Sequence, residues 1–226
     1  TRRSSDLVDV HGAAWPFPGG AGYAIGVKNG STEILIRRST IRDTNKAIAV
    51  NAAGAGSVIA ENTIDDVRIG NFPTWVEVGL GATHFAGTHH LLLERNTAPN
   101  LDSDDTHGGS FAVTAFRNVL TGRRSSYPDG VNVRAFGLMA GTRDFSAVGN
   151  VLGVGDLVGW VLEDGPQGFD PNRRAVYRLG YAPGEWGQAP DPLVLSTLIE
   201  VANVDALTGR ARTPFAGTLP ASLFLR

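Results

Sequence analysis

The segment from residue 100 to 109 carries the densest group of chemically active side chains in the sequence. Three carboxylates, those of Asp102, Asp104 and Asp105, precede the imidazole of His107, and two glycines follow. Asp102 and Asp104 are two residues apart, about 6.6 Å along an extended segment. Such a separation lies within the range used by glycoside hydrolases, nearer to the inverting class. We therefore consider Asp102, Asp104, Asp105 and His107 candidate catalytic residues, with His107 oriented by its acidic neighbours.

Two other interpretations of this segment stay open. Clustered carboxylates and carbonyls could hold calcium, although the spacing of an EF-hand loop is absent and no other cofactor is expected. The segment could also be a simple turn, since Asp, Ser, Thr and Gly are common turn residues.

A tandem repeat predicts the elements that position this segment. Five short apolar segments align on one anchor position. Each segment has three flanking positions, five and three residues before the anchor and two residues after it, and fourteen of these fifteen residues are apolar. The anchors are Ser39, Asn62, Asn96, Asn118 and Asn150. Their spacings are 23, 34, 22 and 32 residues, so the unit has about 22 residues and two copies carry about ten more. A unit of this length without helical periodicity predicts a β-solenoid of parallel strands with identical columns stacked.

The asparagine column has a physical reason in such a fold. A side-chain amide is both donor and acceptor, so stacked amides can bond to one another inside a corner. Asparagine also tolerates the left-handed backbone that a tight corner requires.

The extra residues of the two long intervals follow the anchor in both cases. They fall in residues 71–87 and 122–130, and insertions at matching positions project from one face of a solenoid. We expect these loops to wall a trough whose floor is the 100–109 segment. Trp75 and Tyr127 on the walls would suit the apolar face of a sugar ring.

Arginines precede three of the anchors and offer a different chemistry. A lyase that acts on a uronate polymer needs a cation and a base, and arginine can serve in both roles. We consider Arg117 a candidate catalytic residue and Arg95 a candidate substrate-binding residue. The simpler alternative is an exposed charge ladder in which Glu61 bridges Arg38 and Arg95.

Composition excludes several classes of protein. The chain of 226 residues has 22 acidic and 20 basic side chains, so it lacks the basic surface that binds nucleic acid. It has no cysteine, which excludes disulfides and thiol chemistry. No apolar run reaches the roughly 18 residues of a membrane span.

The two ends differ from the repeats. Residues 1–7 match the translation of a sequencing adapter, so we expect them to be foreign and the natural N-terminus with its export signal to be missing. Residues 8–165 are predicted to form the solenoid, and the turn-rich residues 166–226 its irregular C-terminal cap. Asp191 and Pro192 could begin a short helix there.

The sequence resembles secreted bacterial right-handed parallel β-helix proteins of the pectate-lyase-like superfamily. The resemblance spans roughly residues 30 to 225. The segments that match are Thr106-His-Gly-Gly-Ser, Ala115-Phe-Arg-Asn118, Tyr177-Arg-Leu-Gly-Tyr181, the run from Asp191 to Leu198, Ala202-Asn-Val-Asp205 and the run from Leu219 to Leu225. Where members often have Arg-His-Gly-Asn, this chain has Glu200-Val-Ala-Asn203. The resemblance implies an all-β, right-handed parallel β-helix and export to the cell surface or medium, not a reaction.

We therefore expect a secreted or cell-surface β-helix protein that binds polysaccharide or acts on it. If it is an enzyme, we expect a polysaccharide lyase or a glycoside hydrolase. The alternative is a non-catalytic glycan-binding or structural surface module. Neither nucleic acid nor a membrane is an expected partner.

Overall fold

In the described part of the computed structural model, strands form nearly all of the regular structure, and one short helix, α1, spans Leu193–Thr197. The structure describes residues 3–13, 22–65, 67, 79–123, 134–153, 160–161, 174–182 and 189–224. The strands make three sheets, and every pairing is parallel except that of the last strand. The predicted all-β class with parallel sheets is thus confirmed.

Each sheet takes one strand from successive segments of the chain. The first sheet contains, in spatial order, β1 (Arg3–Asp6), β4 (Ile34–Arg37), β7 (Val58–Ala60), β10 (Leu92–Glu94), β13 (Thr114–Phe116), β16 (Ser146–Val148) and β20 (Ile199–Val201). The second contains β2 (Asp9–Ala13), β5 (Thr40–Thr44), β8 (Thr63–Ile64), β11 (Thr97–Ala98), β14 (Val119–Leu120), β17 (Val151–Leu152), β21 (Val204–Asp205) and β22 (Arg210–Ala211). The third contains β18 (Trp160–Val161), β19 (Arg174–Tyr181), β15 (Arg134–Met139), β12 (Leu101–His107), β9 (Leu80–Phe85), β6 (Lys46–Asn51) and β3 (Tyr23–Lys28).

The apolar columns of the sequence are in register. Ile36 pairs with Ile59, Ile59 with Leu93, Leu93 with Ala115 and Ala115 with Ala147. These side chains belong to one buried apolar cluster that draws on all three sheets. The predicted alignment of the five segments is therefore confirmed.

The predicted ladder of asparagine amides is also confirmed. The Oδ1 of Asn96 accepts from the backbone N–H of Asn62 at 3.0 Å and from its Nδ2 at 2.9 Å. The Nδ2 of Asn96 donates to Ile59 O and to Asn118 Oδ1, both at 2.9 Å. The same pattern continues through Asn150 to Asn203, so the ladder includes one residue more than the sequence predicted.

The left-handed residue of each corner is not the asparagine. A positive φ between 53° and 66° occurs at the residue before the anchor, in Arg38, Glu61, Arg95, Arg117 and Gly149. A second left-handed column lies five residues earlier and contains Glu33, Gly56, His90, Ala112 and Asp144. The expectation that the anchor asparagines adopt this backbone is wrong, and their hydrogen bonds alone explain the column.

The sheets continue past the boundary predicted at residue 165. Strands β19, β20 and β21 extend the third, first and second sheets, and only β22 pairs antiparallel. Helix α1 begins after Pro192, as the sequence suggested, and Asp191 just before it accepts a hydrogen bond from Leu193 N at 3.0 Å. No helix in the described part of the chain has the length and apolar character to cross a membrane.

The C-terminal segment from Leu219 to Phe224 contacts several repeats of the first sheet. Arg117 donates to the carbonyls of Pro220 and Leu219 at 2.9 and 3.1 Å. Leu223 N donates to the buried Glu94 Oε2 at 3.0 Å. Phe224 packs on the small apolar cluster of Leu35, Val58 and Ala60.

Candidate functional site

The acidic segment is a strand in the middle of the third sheet. Residues Leu101–His107 form β12, between β9 and β15, and the chain turns only afterwards, at Gly108 with φ of 102°. The turn interpretation is therefore wrong for residues 101–107. Asp102 pairs with Gly137 of β15, so the sheet fixes its position, whereas Asp104 and Asp105 lie between the paired residues Ser103 and His107.

Two successive irregularities in strand pairing shape this part of the sheet. Relative to β6, β9 has one extra residue, His84, because Val50 pairs with Thr83 and Asn51 with Phe85. Relative to β9, β12 in turn has extra residues, since Ser103 pairs with Thr83 but His107 with Phe85. Asp104, Asp105 and Thr106 therefore lie opposite the single residue His84. Bulges of this kind re-aim side chains and are common beside active sites.

The bulges bring Asp104 and His84 into direct contact. The Nδ1 of His84 lies 2.5 Å from Asp104 Oδ2, and the two side chains are 14% and 4% exposed. The other oxygen of Asp104 accepts from Thr106 N at 3.1 Å. A carboxylate at Nδ1 holds a proton on that nitrogen, so Nε2 is the atom that can accept one. This is the arrangement of an oriented general base.

His84 was not among the residues that the sequence singled out. Its one signal is spacing, because His84 and His107 are 107 − 84 = 23 residues apart, close to one repeat. Their rings are neighbours, with centroids 5.0 Å apart and planes at 74°. His107 is exposed, so it lies nearer to solvent than His84 does.

Lys46 lies on β6, the neighbour of β9 in the third sheet, and Tyr23 and Lys28 lie on β3, the strand beyond it. The Nζ atoms of Lys28 and Lys46 lie 4.8 and 5.0 Å from the centroid of the Tyr23 ring. Burial raises the pKa of the Tyr23 phenol, and the negative charge of Asp104 raises it further. Tyr23 is therefore a protonated phenol at neutral pH, and Lys28 is an exposed cation next to it.

Asp105 is a buried carboxyl group in an unfavourable setting. It is 7% exposed, and neither oxygen has a hydrogen bond of normal geometry within the described part of the chain. Burial, together with the charge of Asp104, raises the pKa of Asp105 to about 6, while its own backbone N–H opposes the rise.

Asp102 is part of a buried ion pair. Its side chain and that of Arg134 are both 0% exposed, and Arg134 Nε donates to Oδ1 at 2.8 Å while Nη2 donates to Oδ2. Asn100 Nδ2 adds a hydrogen bond of 2.7 Å to Oδ2. Burial raises the pKa of Asp102 to about 7, and the Arg134 guanidinium acts in the opposite direction. Gly137 is required beside the pair, because a Cβ there would overlap Asp102 Oδ1.

These contacts argue against the catalytic role predicted for Asp102. Both of its oxygens are bound to buried partners, so it cannot act together with Asp104 as the second carboxylate of a glycoside hydrolase. Asp102 has a structural role in this sheet.

The predicted arginines lie elsewhere. Arg95 and Arg117 precede their anchors at the corner between the first and second sheets, whereas the aspartates belong to the third. Arg95 Nε is 3.8 Å from Glu61 Oε1, as expected for the charge ladder. Arg117 is bound to the C-terminal segment. The predicted walls of the trough, Trp75 and Tyr127, lie outside the described residues.

Within the described ranges, no three His, Asp or Glu side chains converge as metal ligands. No family model, no curated protein and no solved structure matches this chain.

Proposed function

We propose that the chain is a right-handed parallel β-helix related to the pectate-lyase-like superfamily. Three parallel sheets that each receive one strand per repeat support this fold, as do the in-register apolar columns and the amide ladder. The proposal places the protein at the cell surface or in the medium, where its polysaccharide would be.

We further propose that it cleaves an acidic polysaccharide by elimination, with His84 as the general base. The contact between His84 Nδ1 and Asp104 Oδ2 is the observation that carries this proposal. Hydrolysis by a carboxylate pair has less support, because Asp102 is committed to Arg134. Elimination needs a base, a nearby cation and a proton donor rather than two free carboxylates.

His84 and residues of β3 in the same sheet can supply each of these parts. His84 Nε2 takes the proton from the sugar carbon beside the uronate carboxylate, and the electron pair left behind forms a C=C bond as the C–O bond to the next sugar breaks. Lys28 compensates the charge that develops on the carboxylate. Tyr23, which is protonated at neutral pH, donates its phenolic proton to the leaving oxygen, because that oxygen is a stronger base than a phenolate once the C–O bond breaks.

A panel of polysaccharides tests the proposal. Unsaturated chain ends are measured by ultraviolet absorbance and new reducing ends by a colorimetric assay, so that elimination and hydrolysis give different results. His84→Gln should abolish cleavage of any responsive polymer, and Asp104→Asn should reduce it strongly because the ring loses its orientation. His11→Gln, an exposed histidine on β2, is the matched control and should leave cleavage unchanged.

Three outcomes would contradict elimination by His84. New reducing ends without unsaturated products would indicate hydrolysis. Binding of a polymer without new chain ends would indicate a glycan-binding module. Full cleavage by His84→Gln would show that another group is the base.

A further inference from the structure

A second pair of histidines lies outside the site described above. His89 and His90 follow β9, and their Nδ1 atoms are 2.9 Å apart. His90 is exposed and His89 is half-buried against the ring of Phe111, with centroids 5.0 Å apart.

Backbone geometry explains why two adjacent side chains meet. Neighbouring residues of an extended chain point to opposite faces. His90 has φ of 49°, in the left-handed column five residues before the corner, and this turns its imidazole back toward that of His89. Hydrogen bonds to both flanking repeats hold this backbone, from His90 N to Ala112 O and from Gly56 N to His90 O, each 3.0 Å long.

The separation of the two nitrogens matches a chelate. Two ligands in cis positions of a square-planar or octahedral ion, each about 2.05 Å from the metal, are about 2.9 Å apart. A tetrahedral ion would place them about 3.3 Å apart. Imidazole nitrogen suits Cu²⁺ and Ni²⁺, and Cu²⁺ binds most strongly among the divalent ions of this series.

We propose that His89 and His90 form a surface site for one divalent transition-metal ion, Cu²⁺ in preference to Ni²⁺ and Zn²⁺. The hydrogen bond between the two Nδ1 atoms breaks when the ion binds, and its proton moves through solvent to Nε2 of the same ring. The two Nδ1 atoms then occupy cis positions, and water completes the coordination. The fixed turn at His90 preorganises the pair, so the free protein already holds both ligands at the required distance. The site is independent of the proposed function, since it uses neither His84 nor His107.

The repeat itself supplies matched variants for a test. His89 pairs with Phe111 in the next repeat, and Ala112 and Gly56 occupy the left-handed column of His90. His89→Phe and His90→Ala therefore place residues that this fold already accepts at these positions, and His90→Gly offers a second variant suited to positive φ.

The experiment titrates the full chain with Cu²⁺ and records calorimetry and electron paramagnetic resonance spectra. We expect one strongly bound equivalent with nitrogen hyperfine structure from two imidazoles. Affinity should fall by about tenfold or more in His89→Phe, His90→Ala and His90→Gly, because one ligand of the chelate is lost. The double variant His84→Gln/His107→Gln and the single variant His11→Ala should keep the bound ion.

Wild-type affinity in His89→Phe and His90→Gly would overturn the proposal. So would loss of the ion in His84→Gln/His107→Gln, which would place the metal at the other histidine pair. A preference for Zn²⁺ over Cu²⁺ would contradict the cis geometry.

Discussion

At the scale of single residues, hydrogen bonding rather than backbone conformation selects asparagine for the corners. Arg95 takes the left-handed backbone, with φ of 54°, and Asn96 beside it contributes only its amide. That amide accepts two hydrogen bonds from Asn62 and donates to Ile59 O and Asn118 Oδ1. No other side chain of this size combines two N–H donors with a separate acceptor oxygen.

Replacing one rung of the ladder should therefore be costly. Asn96→Ala removes the acceptor of the Asn62 backbone N–H and of one N–H of the Asn62 amide, and each donor left buried without it costs roughly 1–3 kcal/mol. We expect the free energy of unfolding in urea to fall by about 3 kcal/mol or more. The matched control Arg95→Gly should change it by less than about 1 kcal/mol, because glycine accepts a positive φ. A loss below about 1 kcal/mol in Asn96→Ala would contradict the ladder's role in stability.

Asp105 gives a pH-dependent prediction. Its pKa is raised to about 6 in the folded protein, so the folded state binds a proton more tightly than the unfolded state does. This group therefore lowers stability as the pH rises from about 4 to about 6, and the penalty stays at higher pH. Asp105→Asn should raise the melting temperature at about pH 7, by an amount equivalent to roughly 1–3 kcal/mol, and change it little at about pH 4.

Thermal unfolding at both pH values checks this prediction, with Asp9→Asn, an exposed aspartate on β2, as the control. An equal effect of Asp105→Asn at the two pH values would show that its charge is not buried in the folded state.

At the scale of elements, the C-terminal segment stabilises repeats that are distant in sequence. It binds Arg117, Glu94 and the cluster of Leu35, Val58 and Ala60, which belong to three strands of the first sheet and to the corner after a fourth. The arginine that seemed suited to a lyase is explained by this contact. The sequence could not reveal it, because Arg117 and Pro220 are 103 residues apart.

Phe224 of this segment and Phe215, which precedes it, allow a matched comparison. Phe224 packs on the cluster, whereas Phe215 is 48% exposed. Phe224→Ala should lower the free energy of unfolding by about 1–2 kcal/mol because apolar area is exposed, and Phe215→Ala by less than about 0.5 kcal/mol. Hydrogen exchange should show faster opening of β4 and β7 in Phe224→Ala alone. Equal effects of the two variants would mean that the segment does not hold the first sheet.

At the scale of the whole molecule, the sequence predicted the strands and columns better than the site. The five anchors shared one apolar pattern, so their stacking could be inferred from Ser39 to Asn150. Asn203 was missed because 203 − 150 = 53 residues separate it from the previous anchor, which hides the period.

The site itself depends on features without a local sequence signal. The bulge that sets Asp104 opposite His84 follows from unequal strand lengths in two successive repeats. The ion pair between Asp102 and Arg134 joins residues that are 32 positions apart in the sequence. Both features arise only when the repeats stack, so the pattern within a single repeat cannot disclose them.

The stacking of two repeats places the carboxylate of Asp104 against Nδ1 of the His84 imidazole. Nuclear magnetic resonance of the His84 ring tests this contact most directly. With nitrogen-15-labelled histidine, we predict a His84 ring protonated at Nδ1 whose proton resonates far downfield and exchanges slowly with water. Asp104→Asn should abolish this signal, and His11→Gln should leave it intact. A His84 ring protonated only at Nε2, or a downfield proton that persists in Asp104→Asn, would contradict the account.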